Sequence, residues 1–243
     1  MHQTALWRRL LAEFVGTALL VTAVVGSGVM ATTLSPDDVG LQLLENSVAT
    51  AFALGALILT FGPVSGAHFN PVVSAADWFL GRRARTGLTA TDLGGYALAQ
   101  VLGAIAGSVL ANVMFDLAAV TFSAKDRSAG HLLLGEVVAT AGLLLLIFAL
   151  ARSGRAGVAP AAVGAYIGAA YWFTSSTSFA NPAVTIGRAF IDTFAGIAPA
   201  SVPGFILAQL IGLLAGTSLL LALYPAVGAS AGDVLVPEGA TRD

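Results

Sequence analysis

Apolar residues fill six long stretches of the chain, at residues 9–31, 42–62, 92–115, 131–151, 157–176 and 203–224, and polar residues gather between them. Each stretch is long enough to cross a bilayer as a helix, since about 20 residues span the ~30 Å hydrocarbon core. The first follows Arg8 and Arg9, as the core of a signal peptide would. Its length and its counterpart later in the chain instead make it a retained first span. Two shorter amphipathic pieces interrupt the series, near residues 70–80 and 181–191. Each amounts to roughly 15 Å of helix, half a bilayer core. The pattern predicts three spans with a half-helix, then the same again.

The two halves also match in detail. Ala12-Glu13-Phe14-Val15-Gly16-Thr17 in the first span corresponds to Gly135-Glu136-Val137-Val138-Ala139-Thr140 in the fourth. Phe69-Asn70-Pro71-Val72-Val73 corresponds to Ala180-Asn181-Pro182-Ala183-Val184, and Ala99-Gln100-Val101-Leu102-Gly103 to Ala208-Gln209-Leu210-Ile211-Gly212. These landmarks in one order imply a duplication, with repeat one at about 9–115 and repeat two at about 131–224, in a single domain covering 1–243. Three spans per repeat is an odd number, so the second repeat is inverted. Inverted repeats place the functional site near the bilayer midplane, where broken helices meet. Arginine placement sets the orientation. With the N-terminus inside, eight basic residues (Arg8, Arg9, Arg82, Arg83, Arg85, Arg152, Arg155, Arg242) lie on the cytoplasmic side, against Lys125, Arg127 and Arg188 outside. Both termini are then cytoplasmic, and residues 226–243 form a loose cytoplasmic tail.

Composition changes the picture only by exclusion. Hydrophobic residues make up 57% of the 243 and charged residues 10%, where a soluble domain carries about 25% charged. Such a chain cannot cover a surface in water, so its partner is the lipid bilayer. Cysteine is absent, which removes disulfides, thiolate metal sites and cysteine catalysis. No HExxH zinc motif and no nucleophile–base pair stands out, so an enzyme, a cofactor and a metal site are all unexpected. A net charge of −2 with scattered basic residues gives no reason to expect nucleic acid.

The two Asn-Pro steps carry the chemistry. Asn is a favoured N-cap, and Pro suits the first helical position, where its missing N–H costs nothing. Each half-helix therefore starts at its Asn. If the two dip in from opposite faces, their N-termini meet at mid-membrane. The Asn70 and Asn181 amide oxygens are then held by capping, and their NH2 groups face a lumen. Two converging helix N-termini oppose protons and cations there.

Ser65-Gly66-Ala67-His68-Phe69-Asn70-Pro71 resembles the first signature of the major intrinsic protein (aquaporin) family, and Asn181-Pro182-Ala183 its second. The resemblance runs from about 9 to 224. It implies an all-α integral membrane fold, a right-handed bundle of six helices and two re-entrant half-helices. It also implies a passive channel for small uncharged solutes, built as a homotetramer with one pore per subunit. The first motif reads Asn-Pro-Val, and Val72 stands where alanine is usual.

In the family, four side chains form a selectivity ring outside the Asn-Pro motifs. By that resemblance the ring here is Thr50, Gly168 or Ala169, Ser178 and Val184. Val184 replaces the usual arginine. The register of the fifth span leaves Gly168 and Ala169 as alternatives. The expected ring is wide and holds no aromatic or charged group. Arg188, one turn beyond Val184, is assigned to the outer vestibule, with the alternative that it takes the arginine's role. A ring of this kind resembles that of bacterial members associated with metalloid hydroxides such as arsenous acid. Glycerol-like polyols, such hydroxides and water are the expected solutes. A water-selective channel and an ion-coupled transporter are the alternatives.

Glu13 and Glu136 sit inside apolar helices, where a carboxylate is costly. Proton or ion sites in a transporter are one reading. Acceptors that brace the loops before the half-helices are the other, favoured by the duplication. His68 is expected to brace its loop by hydrogen bonding, and Gln100 and Gln209 to brace the half-helices or neighbouring helices. Gly103 with Gly107, and Gly212 with Gly216, form small-xxx-small faces for helix packing.

Overall fold

The computed structural model describes residues 4–225, so the tail expected at 226–243 lies outside the described residues. Among the described residues eight α-helices follow one another: α1 (Leu6–Leu34), α2 (Val39–Ser65), α3 (Pro71–Gly81), α4 (Ala90–Met114), α5 (Gly130–Arg152), α6 (Ala159–Phe173), α7 (Pro182–Gly187) and α8 (Val202–Leu223). Six helical segments, those of α1, α2, α4, α5, α6 and α8, are long and apolar enough to cross a membrane. Helices α3 and α7 are the short ones. A 3-10 turn, Arg188–Phe190, extends α7.

Several spans outrun their apolar stretches, because local capping and not hydropathy ends a helix. Asp38 accepts from the Leu41 N–H and starts α2 at Val39, three residues before the apolar stretch at 42–62. Thr89 does the same for α4 through the Asp92 N–H. At its other end α2 carries Pro63 and closes on Gly66, whose φ of 85° an L-residue adopts only with strain. That turn sends the chain back towards the bundle axis and into α3.

Helix α4 lies on α1, and α8 lies on α5. A Cβ on Gly103 or Gly107 would come within 2.3 Å of the Phe14 carbonyl oxygen or 2.2 Å of that of Ala18. On Gly212 or Gly216 it would meet the Val137 and Ala141 carbonyls at 2.8 and 2.7 Å. Lipid tails are as apolar as leucine, so helices in a bilayer associate by such close packing. Large apolar side chains on the far faces, such as Phe52, Leu59 and Leu214, are exposed where lipid would meet them.

Gly107→Leu drives a side chain into backbone that no rotamer avoids. We expect it to destabilise the protein by about 3 kcal/mol or more, at or beyond the upper end of overpacking costs. Thermal unfolding in detergent checks this. A Gly107→Leu protein melting with the wild type would show that α1 and α4 are not in backbone contact.

Candidate functional site

The site begins with the two caps. Asn70 Oδ1 accepts from the Val72 N–H at 3.1 Å, ahead of Pro71 at the first position of α3. Asn181 Oδ1 accepts from Ala183 and Val184 at 3.0 and 3.2 Å, ahead of Pro182 in α7. The amide nitrogens do something the caps alone did not foretell. Asn70 Nδ2 donates to the Ala180 carbonyl and Asn181 Nδ2 to the Phe69 carbonyl, each at 2.8 Å. Each asparagine thus fastens its half-helix to the loop before the other one. An NH2 group has two protons, so one donor remains on each. Both side chains line a central cavity.

The loops before the half-helices are held in an uncommon backbone. Ala67 and Phe69 have φ of 49° and 51°, and their counterparts Ser178 and Ala180 have 49° and 48°. Left-handed non-glycine residues cost about 1–3 kcal/mol each and persist only where surroundings impose them. Here the two buried glutamates impose them. Glu13 Oε1 accepts from Ser65 Oγ at 2.6 Å and the His68 N–H at 3.0 Å. Its Oε2 accepts from the Phe69 N–H at 2.7 Å and Gln100 Nε2 at 2.8 Å. Glu136 Oε1 accepts from the Phe179 N–H at 2.9 Å. Its Oε2 accepts from the Ala180 N–H at 2.8 Å and Gln209 Nε2 at 2.7 Å.

These bonds orient the peptides. A trans peptide points its N–H and C=O in opposite directions. Turning the N–H groups of His68 and Phe69 to Glu13 turns the carbonyls of Ala67 and His68 the other way, and Glu136 does the same to Ser178 and Phe179. All four residues line the central cavity. Gln100 Nε2 also donates to Ser74 Oγ, and Gln209 Nε2 to Thr185 Oγ1, at 3.0 and 2.9 Å. Ser74 and Thr185 each follow their asparagine by four residues, so the braces repeat. His68 Nδ1 lies 3.0 Å from Ser74 Oγ. Among the described residues no cluster of three His, Cys, Asp or Glu side chains could hold a metal ion.

The cavity is a narrow lumen of about 60 Å³. Four-residue steps along the helices build its wall. Thr50, Leu54 and Ile58 face it from α2, and Val163, Ile167 and Tyr171 from α6. Val73 and Val184, each three residues after its asparagine, face it from the half-helices. The lining splits into a polar track (Asn70, Asn181, the loop carbonyls, Thr50, Tyr171, Ser178) and an apolar wall of Leu, Ile and Val. Val72 and Ala183 are fully buried and lie outside this lining.

The ring expected from sequence is partly redrawn. Thr50, Ser178 and Val184 do line the lumen, but neither Gly168 nor Ala169 does. A Cβ on Gly168 would meet Ala51 of α2 at 3.0 Å, and Ala169 is exposed on the outer face. Gly164 packs on the Ala51 carbonyl in the same way, where a Cβ would sit 2.5 Å from the oxygen. The small residues of α6 are thus a helix-packing face, turned about 100° per residue away from the pore stripe. The side chain that α6 presents is Tyr171, whose hydroxyl is hydrogen-bonded to Thr50 Oγ1 at 3.2 Å. Gly164 and Gly168, spaced like Gly103 and Gly107, were the signal that could have revealed this.

Arg188 stands beside these lining residues. Arg188 is 2% exposed, donates through Nε to the Ala195 carbonyl, and stacks its guanidinium 3.4 Å above the Phe179 ring. It borders both the lumen and a second cavity of about 180 Å³ at the mouth on the side where α2 begins. The cation therefore stands at the junction of vestibule and lumen.

Six membrane-length helices around two half-helices that meet cap to cap, with a solute-sized lumen between them, define a membrane channel. The chain belongs to the major intrinsic protein family, whose family model matches residues 1–178. It is 49% identical over 220 residues to aquaglyceroporin AqpS of Rhizobium meliloti (strain 1021), covering 90% of this chain and 91% of that protein. It is 34% identical over 212 residues to Aquaporin Z of Brucella melitensis, covering 77% and 86%. Its fold matches the crystal structure of the aquaglyceroporin from Plasmodium falciparum with a TM-score of 0.65 at 19% identity, over 92% of this chain and 99% of that one. The protein is a channel for small solutes and not an enzyme.

Proposed function

We propose that this channel passes small uncharged polyols such as glycerol, uncharged metalloid hydroxides such as arsenous acid, and water. The two-sided lumen carries this reading. A polyol has hydroxyls on one edge and C–H groups on the other, which suits a polar track facing an apolar wall. Its hydroxyls donate to the carbonyls of Ala67, His68, Ser178 and Phe179, and accept from the free protons of Asn70 and Asn181. Arsenous acid is an uncharged trihydroxide and presents the same groups. The similarity to an aquaglyceroporin over nine-tenths of the chain points the same way.

Ions fail for two reasons. The converging N-termini of α3 and α7 oppose cations, and the apolar wall replaces no hydration shell. The two membrane-embedded glutamates hold loop N–H groups through both oxygens, so neither is left as a coupling site for a transporter.

The cell's plasma membrane is the proposed location, with cytoplasmic termini by the arginine asymmetry, so that the 180 Å³ vestibule faces outward. The proposed unit is a homotetramer of single-domain protomers, each with repeats at about 9–115 and 131–224.

Stopped-flow light scattering on proteoliposomes tests the reading with glycerol, arsenous acid and water in turn. Glycerol and arsenous acid should enter faster than into empty liposomes. Asn181→Asp should stop both. It trades the amide donor for an acceptor facing the Phe69 carbonyl, and a charge at mid-membrane costs about 2.5–3.5 kcal/mol. Passage of water alone would make this a water-selective channel and overturn the polyol reading.

A further inference from the structure

The vestibule beyond Arg188 is ringed by positive charge. Lys125, Arg127 and Arg188 all line its cavity of about 180 Å³, with Asn46 and Thr177 adding polar groups. None of the three cations has a carboxylate partner among the described residues, where the single ion pair joins Arg9 to Asp92. Backbone carbonyls hold them instead. Lys125 Nζ donates to Phe194 at 2.9 Å, Arg127 to Gly196 and Ser176 at 2.9 and 3.2 Å, and Arg188 to Ala195. A carbonyl fixes a cation's position and leaves its charge in place. Each side chain also keeps further N–H donors, since an ammonium has three and a guanidinium five. Burial, then Arg127 and Arg188, push Lys125 down to about 8. Among the described residues Glu136 is the one carboxylate that attracts Arg127 and Arg188, from beyond ion-pair range, so three positive charges face one negative there.

Three cations fixed around one pocket repel each other, and a mobile anion is what relieves that repulsion. We propose that this vestibule is a binding site for a small free oxyanion of the phosphate type, held by Lys125, Arg127 and Arg188. Arg188 borders the lumen as well, so the bound anion caps the lumen's mouth. Because it shares Arg188 with the lumen, the pocket lies on the path of water-borne solutes, which selects an oxyanion dissolved in water over a lipid headgroup. The anion is not itself carried through: it reaches the vestibule and stops at the apolar wall of the lumen.

The test is calorimetric titration of the purified, detergent-solubilised channel with sodium phosphate, at ionic strength held constant by sodium gluconate. Constant ionic strength matters because exposed charges are screened over about 10 Å at 0.1 M salt. Wild type and Lys125→Arg should bind phosphate saturably, and Lys125→Glu at least about tenfold more weakly. Lys125 sits at the exposed rim, so the change leaves the packed core intact, and a thermal melt verifies folding. No saturable heat with wild type, or equal affinity in Lys125→Glu, overturns the site. Binding is read without reference to any permeant, so a failure of the polyol reading leaves this result standing. In proteoliposomes, saturating phosphate should slow neutral-solute influx through the wild type and spare Lys125→Glu. Unchanged wild-type influx would overturn the capping.

Discussion

Glu136→Leu should leave a protein that neither conducts nor melts cooperatively near the wild-type temperature. Glu136 is fully buried and accepts three hydrogen bonds, from the Phe179 and Ala180 N–H groups and from Gln209 Nε2. Leucine fills similar space and accepts none. Each buried donor left unpaired costs about 1–3 kcal/mol, so the loss is on the order of 3–9 kcal/mol. That is comparable to the whole stability of many proteins. The damage is also directional. Ser178 and Ala180 hold left-handed backbone because Glu136 draws the N–H groups of the loop to one side. Without it the loop relaxes, the Ala180 carbonyl leaves Asn70, and both half-helices lose their joint. Glu136→Gln is the milder companion, since one oxygen remains but an NH2 now faces N–H donors. Thermal unfolding and solute influx on the same preparations check the pair. A Glu136→Leu protein that conducts like the wild type would remove Glu136 from the support of the pore.

Much of this was legible in the amino-acid order. Six apolar runs of membrane length and two half-length pieces translate directly into helices, because the bilayer fixes the length of a span. The half-helix starts were legible because Asn and Pro have positional meaning at a helix N-terminus. The pairing of Glu13 with Glu136 came from duplication, which marks two carboxylates as doing one job twice. Other features were not legible, for a common reason. Whether a small residue such as Gly168 widens a pore or admits a neighbouring helix depends on which face α2 covers. That is a property of two helices and not of one. The same holds for the crossed Asn70–Ala180 and Asn181–Phe69 bonds, which join loops about 110 residues apart. The meeting of Lys125, Arg127 and Arg188 at one mouth was hidden because a loop and a half-helix bring them together from 63 positions apart at the extremes, 188 less 125.

Val184→Arg should cut glycerol influx at least about tenfold while leaving water measurable, a rise of about 1.4 kcal/mol in the barrier for the larger solute. Val184 lines the lumen three residues after Asn181, and its own N–H is already held by Asn181 Oδ1. The backbone there is fixed, so a longer side chain must extend into the lumen of about 60 Å³. It takes up the space that a polyol's carbon chain needs beside the apolar wall. Water is smaller and gains donors from the guanidinium, so it passes more readily than glycerol. The new charge also stands one turn from Arg188, and like charges at that spacing disfavour each other by about 0.2–0.5 kcal/mol. That repulsion tilts the new guanidinium inward, towards the Tyr171 and Ser178 hydroxyls. Val184→Ala separates size from charge, since it opens the same position without a cation and should keep glycerol influx at the wild-type level or above. If Val184→Arg folds, as its melt would show, and still passes glycerol like the wild type, the narrowest point lies elsewhere. The Tyr171–Thr50 pair would then be the place to look, with Tyr171→Ala as the variant that widens it.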